Sequence, residues 1–270
     1  MERGLAGSRS RAQALLLAGR VHLGEGGADA PAHPHARPGD LVDPAVPLAL
    51  SEGPQYVSRG GEKLAAALDA FLVDDPAVDP AGRTCLDVGA STGGFTDVLL
   101  RRGARRVYAL DVGRGQLAQQ LRADPRVVVL EGVNARHLAG PVGGAGDAAS
   151  AVGATSGHTA ETLPEPVTLA TIDVSFISLE RVLAPVAATF GPPEGGRIVA
   201  LVKPQFEAGR GEARRGVVRD PAVHRRVVER IREHAAEVGL VVRDEVASPL
   251  LGPAGNREFF LDLEVPARPA

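Results

Sequence analysis

From residue 84 to residue 265 the chain alternates apolar runs with amphipathic ones, and no other feature constrains its fold as much. TCLDVGA, RVYALDVG, RVVVLEG, VTLATIDVSF and GRIVALVKP read as buried strands. Helical patterns separate them. FTDVLLRRG sets Phe95, Val98 and Leu99 on one face and stops at Gly103. The next helix carries Leu117 and Leu121, and a later one Leu179, Val182, Leu183 and Val186. Asp220-Pro221 is an N-cap followed by proline at the first helical position, and that helix runs to about Val238 before Gly239. GLVVRDEVASP and EFFLDLEV are late strands. Strand alternating with helix predicts an α/β fold with a doubly wound, mostly parallel sheet. One more helix precedes it: GEKLAAALDAF places Leu64, Leu68 and Phe71 on one face.

Residues 1–50 read as a small separate α+β unit. Ser10 to Gln13 form a capping box opening a helix through Ala18, with Gly19 as its stop. VHLGEGG and PAHPHARPGD read as short strands and turns. Arg3, Arg9, Arg11 and Arg20 make this end basic. Residues 51–57, SEGPQYV, read as a linker to a large domain over 58–270. Within it, residues 140–166 are rich in Gly, Ala and Ser without apolar periodicity, the pattern of a flexible surface insertion.

Bulk numbers exclude several function classes. A net charge of −3 is no polycation, so nucleic-acid contact would rest on local basic patches. One cysteine, Cys85, excludes a disulfide framework and a cysteine-based metal cluster, and no metal is expected. No 18-residue apolar run and no signal core are present, which predicts a cytoplasmic protein without membrane contact. The oligomeric state is not legible.

The first strand ends in the turn Asp87-Val-Gly89-Ala90-Ser91-Thr92-Gly93-Gly94-Phe95. Gly89-x-Ser91-x-Gly93 matches a hydrolase nucleophile elbow. The histidines that would serve it, His224 and His234, both fall inside the predicted helix 221–238, which disfavours that reading. The alternative is a cofactor loop: glycines admit close backbone approach, and the following helix start offers free N–H groups. Asp111, with Val112 beside it, ends the second strand where an acid would bind ribose hydroxyls, and Asn134 follows the third strand on the adenine side. Ser91 breaks the dinucleotide glycine pattern, and Asp87 before the first glycine fits S-adenosylmethionine better than a nicotinamide cofactor.

The chain has 28 arginines and two lysines, Lys63 and Lys203. Arginine replaces lysine freely as surface charge but not where a proton must leave, because guanidinium stays protonated. Lys203 follows the fifth strand and Asp173 the fourth; Lys63 opens the helix before the first strand and Glu258 precedes the last. Open α/β sheets react their ligands beyond the carboxyl ends of their strands. Each residue alone has a bland reading as a cap or a solvated charge, but together they can gather in one cleft.

SRGGEKL, LDVGASTGGFTDVLL, DVGRGQL, DPRVVVLEGVNAR, DVSFISL, LVKPQFE and GNREFFL resemble, in order and spacing, the TlyA family of ribosomal RNA 2′-O-methyltransferases, once called hemolysins. The resemblance covers nearly the whole chain except 140–166. It implies an FtsJ-type catalytic domain and a Lys-Asp-Lys-Glu tetrad at Lys63, Asp173, Lys203 and Glu258. It also implies an N-terminal RNA-binding domain similar to that of ribosomal protein S-four and a linker aromatic for which Tyr56 stands in; the family usually has about one more helix before the segment matching ERGLAGSR, so either translation starts upstream or the domain is truncated. Transfer from S-adenosylmethionine to a cytidine ribose of ribosomal RNA follows as the expected activity, with free RNA or ribosomal subunits as partner. Lys203 is the expected base, oriented by Asp173, with Lys63 held by Glu258; which lysine takes the proton stays open. Arg59, Arg210, Arg214, Arg215 and Arg219 flank the tetrad, on and around a glycine-rich loop, EAGRGEARRGVV, expected to be mobile. With two tyrosines and no tryptophan, phosphate contacts are expected to outweigh an extensive stacking platform.

Overall fold

The computed structural model describes residues 4–9, 12–13, 21–23, 43, 45–50, 55–140, 161–209, 211–213, 215–252 and 254–267. The chain divides into two compact units, Met1–Gln55 and Tyr56–Ala270, so the boundary falls inside the linker read from the sequence. In the first unit, β1 (Val21–Leu23) pairs antiparallel with β2 (Leu48–Leu50). A helical turn includes Arg9, Ala12 and Gln13. The Ala12 N–H donates to the Ser8 carbonyl at 2.9 Å, so this turn begins two residues before the capping box predicted at Ser10. PAHPHARPGD lies outside the described residues.

The second unit begins with α1 (Arg59–Phe71), which buries Leu64, Leu68 and Phe71. Then follow β3 (Thr84–Val88), α2 (Gly94–Arg101), β4 (Arg106–Asp111), α3 (Gln119–Arg122) and β5 (Val127–Glu131). Two short strands, β6 (Leu138–Ala139) and β7 (Glu161–Thr162), pair with each other. The chain continues through β8 (Leu169–Ile172), α4 (Leu183–Ala187), β9 (Gly196–Val202) and α5 (Pro204–Glu207). It closes with α6 (Pro221–Glu237), β10 (Val241–Ala247) and β11 (Phe259–Val265).

Seven strands form one sheet in the order β10-β11-β9-β8-β3-β4-β5. All pairs are parallel except those of β11, which runs antiparallel to both neighbours. From β3 the chain builds outward to β4 and β5, then returns to lay β8 and β9 on β3's other side. The carboxyl ends of β3 and β8 are therefore the switch point, where a crevice opens.

Alternate residues of each strand feed opposite faces. Cys85, Val107, Leu169, Val199 and Leu201 join one apolar cluster with α1 and α2. Leu86, Tyr108, Leu110, Ile172 and Ile198 join the other with α4 and α6. Burying a side chain of the size of Leu64 or Phe71 contributes about 2 kcal/mol each, which explains why the sheet is covered on both sides.

Three local readings shift. The helix expected over 179–186 splits into a 3₁₀ turn, Leu179–Arg181, and α4, with the Ser178 side chain capping the turn by accepting from the Glu180 N–H. Leu117 precedes α3 rather than lying within it. Of the segment read as a flexible insertion, 141–160 lie outside the described residues, but its far end is ordered. Leu163 is buried in the core, and Glu165 pairs with Arg105 at 2.7 Å and Arg106 at 3.3 Å. The polar composition of 161–166 reflects this ionic anchoring rather than mobility.

Candidate functional site

The β3–α2 turn is shaped by its glycines. Gly89 has φ +85°, and a Cβ there would lie 2.3 Å from the Asp173 carbonyl oxygen, so only glycine lets this turn press against the loop after β8. Gly93 at φ +99° caps α2, and a Cβ there would meet Leu121 at 2.2 Å. Between them Ser91 also takes a left-handed backbone, φ +49°. Its N–H donates to Asp111 Oδ2 at 2.8 Å, while the Gly113 N–H donates to Asp111 Oδ1 at 2.7 Å. Asp111 thus ties the loop after β3 to the loop after β4.

Beside these loops lies a cleft of about 860 Å³, lined by Gly89, Ser91, Asp111, Val112, Asn134 and Asp173 among others. Asn134 presents a side-chain oxygen that accepts from the Arg136 N–H at 3.1 Å. Val88, Leu110, Val133 and Ala135 supply an apolar wall. A carboxylate at a strand end, an amide and an apolar slot suit a ribose and a flat base, so the residues present fit a nucleoside-bearing cofactor such as S-adenosylmethionine.

Asp87 and Gly93 do not line this cleft. Asp87 is wholly buried, accepting from Thr96 Oγ1 at 2.6 Å on α2 and from Thr171 Oγ1 at 3.2 Å on β8. Burial, and secondarily the Asp173 charge, push its carboxyl up to about 7 against the pull of the threonine hydroxyls. It clamps the base of the turn instead of facing a ligand.

A smaller pocket of about 200 Å³ shares Gly89, Ser91 and Asp173 with the cleft. It is lined by Lys63, Asp173, Lys203 and Glu258, and by Arg59, Ala90, Thr92, Gly94, Phe95 and Leu251. Four residues spread over 195 positions of chain therefore meet at one point, in two pairs. Lys63 Nζ donates to Glu258 Oε2 at 2.6 Å, and Gln205 Nε2 donates to Glu258 Oε1 at 3.2 Å. Lys203 Nζ lies 2.5 Å from Asp173 Oδ1 and donates to Ser175 Oγ at 3.0 Å. The Lys203–Asp173 contact is off the hydrogen-bonding axis, leaving Asp173 Oδ1 without an aligned donor.

At the mouth, Phe176 is 90% exposed with φ +64°, and its ring lies 4.9 Å from that of Phe206. The larger residues of DVSFISL and VKPQFE that complete this site, Ser175, Phe176, Gln205 and Phe206, carried no assignment from sequence. Their signal was their position within one to three residues of Asp173 and Lys203.

Arg59 lines the small pocket, and its guanidinium donates to the Leu251 carbonyl at 3.4 Å. Arg215 is exposed with φ +51°, and Arg219 is exposed. Arg9 is exposed in the first unit. Arg3, Arg11, Arg20, Arg210 and Arg214 lie outside the described residues. Among the described residues the hydrolase arrangement is absent: Ser91 Oγ donates to Gln116 Oε1 at 3.3 Å. His224 and His234 sit on α6 with their Nε2 atoms 2.9 Å from the Val218 and Glu180 carbonyls. A cavity of about 920 Å³ at the opposite, amino end of the sheet holds Arg83, Arg105, Arg197 and Arg243. It is the larger space, but Arg105, Arg197 and Arg243 are paired with Glu165, Asp75 and Glu264, and neither lysine of the chain lines it.

Residues 56–264 match the model of the FtsJ-like methyltransferases. The chain belongs to that family. It is 43% identical over 264 residues to the 16S/23S rRNA (cytidine-2′-O)-methyltransferase TlyA of Mycobacterium tuberculosis, covering 97% of this chain and 86% of the relative. It is 33% identical over 258 residues to Hemolysin A of Brachyspira hyodysenteriae, covering 95% and 94%. Among solved structures, a Streptococcus thermophilus protein carrying a hemolysin label superposes with a TM-score of 0.69 at 38% identity, over 99% of this chain and 86% of that one. Among the described residues, no helix is long and apolar enough to cross a membrane.

Proposed function

We propose that the chain transfers a methyl group from S-adenosylmethionine to a ribose 2′-hydroxyl of ribosomal RNA, at cytidine, as the name of its Mycobacterium tuberculosis relative specifies for that protein. The observation that carries this reading is the convergence of two lysine–carboxylate pairs in a pocket that opens into the glycine-turn cleft. Asp111 would hold the ribose hydroxyls of the cofactor, and Asn134 with Val112 its base. When bound there, the cofactor supplies a sulfonium methyl that a nucleophile can displace. A hydroxyl is a weak nucleophile, and the protein's part is to orient it and take its proton. Lys203 Nζ, in its neutral form, would accept that proton, and the ammonium so formed is matched by Asp173, 2.5 Å away. Lys63, held by Glu258, would hold the same oxygen from the other wall.

Two features support RNA as substrate. Phe176 stands in solvent at the mouth on a left-handed backbone, an unfavourable stance that suits stacking against an unpaired base. Arg59, which lines the pocket, and Arg215, which is exposed, would serve as phosphate ligands, and the unit Met1–Gln55, with Arg9 on its surface, would be the S-four-like RNA-binding domain, residues 58–270 forming the catalytic one. The test is to incubate the protein with methyl-labelled S-adenosylmethionine and ribosomal subunits, then digest the RNA. Label on a cytidine ribose is expected; label on a base, or none on RNA, overturns the reading.

A further inference from the structure

We propose that Glu207 is a positioning residue for the transfer: its carboxylate locks the loop that carries Asp173 to the short helix that follows Lys203. The proposal rests on the reading of the Lys203–Asp173 pair given above. Glu207 is the last residue of α5, four positions after Lys203, and is only 5% exposed. Its Oε1 accepts from the Leu179 N–H at 2.8 Å, and its Oε2 from Ser178 Oγ at 2.7 Å. Both donors belong to the segment that leaves β8 through Asp173 and Phe176. Arg230 of α6 closes the arrangement from below: its Nη2 donates to the Glu207 carbonyl at 2.6 Å and lies 3.2 Å from Oε2, while its Nε meets Glu180 Oε1 at 2.8 Å.

Two working contacts cross between these same two segments, Lys203 with Asp173 and Phe206 with Phe176. Neither is self-sufficient. The first lacks an aligned hydrogen bond, and the second has one ring almost wholly in water. The spacing of both must be imposed from elsewhere, and Glu207 bridges the segments within six residues of each. A buried carboxylate is a costly way to join two loops when apolar packing would serve. Burial pushes its carboxyl above the ordinary range, against the donors that favour the charged form. What a carboxylate gives and packing does not is direction: two oxygens aimed at two adjacent donors fix orientation as well as contact.

The chain's two lysines allow a test without turnover. Protein labelled with ¹³Cε-lysine gives one signal each for Lys63 and Lys203, assigned from lysine-to-arginine variants. In Glu207→Gln the Lys203 signal is expected to move and the Lys63 signal to stay. With RNA, kcat should fall about tenfold, while KM for RNA and Kd for S-adenosylmethionine stay within twofold. Ser178→Ala, which removes one donor, should show the same split at about threefold, and it decides the matter if Glu207→Gln does not fold. A purely structural role would lower Tm and leave both lysine signals and the turnover per folded molecule unchanged; that result overturns the proposal. Wild-type protein that methylates no RNA would sink the proposed function instead, and the lysine signals would still judge the lock.

Discussion

Lys63 and Lys203 each meet a carboxylate at ion-pair distance, 2.6 Å to Glu258 and 2.5 Å to Asp173, yet the two pairs are held differently. The Lys63 pair is sealed, with side chains 9% and 1% exposed, and its contact is a full hydrogen bond. Glu258 is fixed on its other oxygen by Gln205 and crowded by Gly252, where a Cβ would lie 2.4 Å from Oε1. The Lys203 pair is 12% and 24% exposed, its contact is misaligned, and the hydrogen bond of Lys203 runs to exposed Ser175. A sealed pair resists change, because breaking it strands a buried charge. A more exposed pair whose contact is misaligned can change partners within one turnover. The difference favours Lys203 as the group that moves the proton and Lys63 as a fixed positive wall.

The sharpest attempt to break this contrast exchanges each lysine for arginine. Lys203→Arg keeps charge and reach but cannot accept a proton, and transfer should fall by about 100-fold or more, the scale of general-base catalysis. Lys63→Arg keeps the charge against Glu258 and should cost about tenfold. Equilibrium binding of S-adenosylmethionine should survive both. Single-turnover methylation of ribosomal subunits measures the pair of effects, and a larger loss for Lys63→Arg would reverse the assignment.

How much of this was legible follows from which contacts are local. Strands buried on both faces read as continuous apolar runs, so β3, β4, β8 and β9 and their polar ends at Asp111, Asp173 and Lys203 stood out. The pairing of Lys63 with Glu258 was expected only through the family resemblance. That Gln205 braces Glu258 went unread, because it depends on strand order, which the chain reveals only through the crossover between β3 and β8. Asp87 misled because a carboxylate beside a glycine turn resembles a ligand residue. Its strand position aims it at Thr96 and Thr171 instead, two hydroxyls that no spacing rule connects to it. Glu207 went unread for the same reason: its partners lie 28 and 29 residues away, in another loop.

A smaller effect tests which pair faces the substrate. Phe176 and Phe206 stand on the Lys203 side, Lys203 Nζ lying 6.0 Å from the Phe206 ring centroid, whereas the Lys63 side presents Leu251. Base-on-aromatic stacking is worth about 1–3 kcal/mol, so Phe176→Ala should lower kcat/KM for RNA by roughly tenfold. Leu251→Ala should lower it less than threefold. Steady-state kinetics on ribosomal subunits compares the two, and equal losses would mean that the nucleotide enters between the pairs rather than over the Lys203 side.

The effect with the least bearing on turnover appears in stability and concerns what lies behind the open pair. Asp173 is coupled electrostatically to buried Asp87, whose carboxyl is pushed up to about 7 from an ordinary 3.8. The sign follows from proton counting. Between these values the folded protein binds a proton that the unfolded chain has released, so the stabilisation is complete below about pH 4 and is lost as pH rises through about 7. Asp262, raised to about 6 by burial, pulls the same way, so the wild-type decline is shared. Asp87→Asn keeps a neutral hydrogen-bonding group between Thr96 and Thr171 and should remove the Asp87 share, on the order of a few kcal/mol. In urea unfolding at pH 5, 6, 7 and 8 the variant should gain on wild type with each step upward. The gain should be steepest between pH 5 and 6 and should level off above about 7. A constant difference across that range would mean that Asp87 does not titrate there, and the charge behind the open pair would then be fixed.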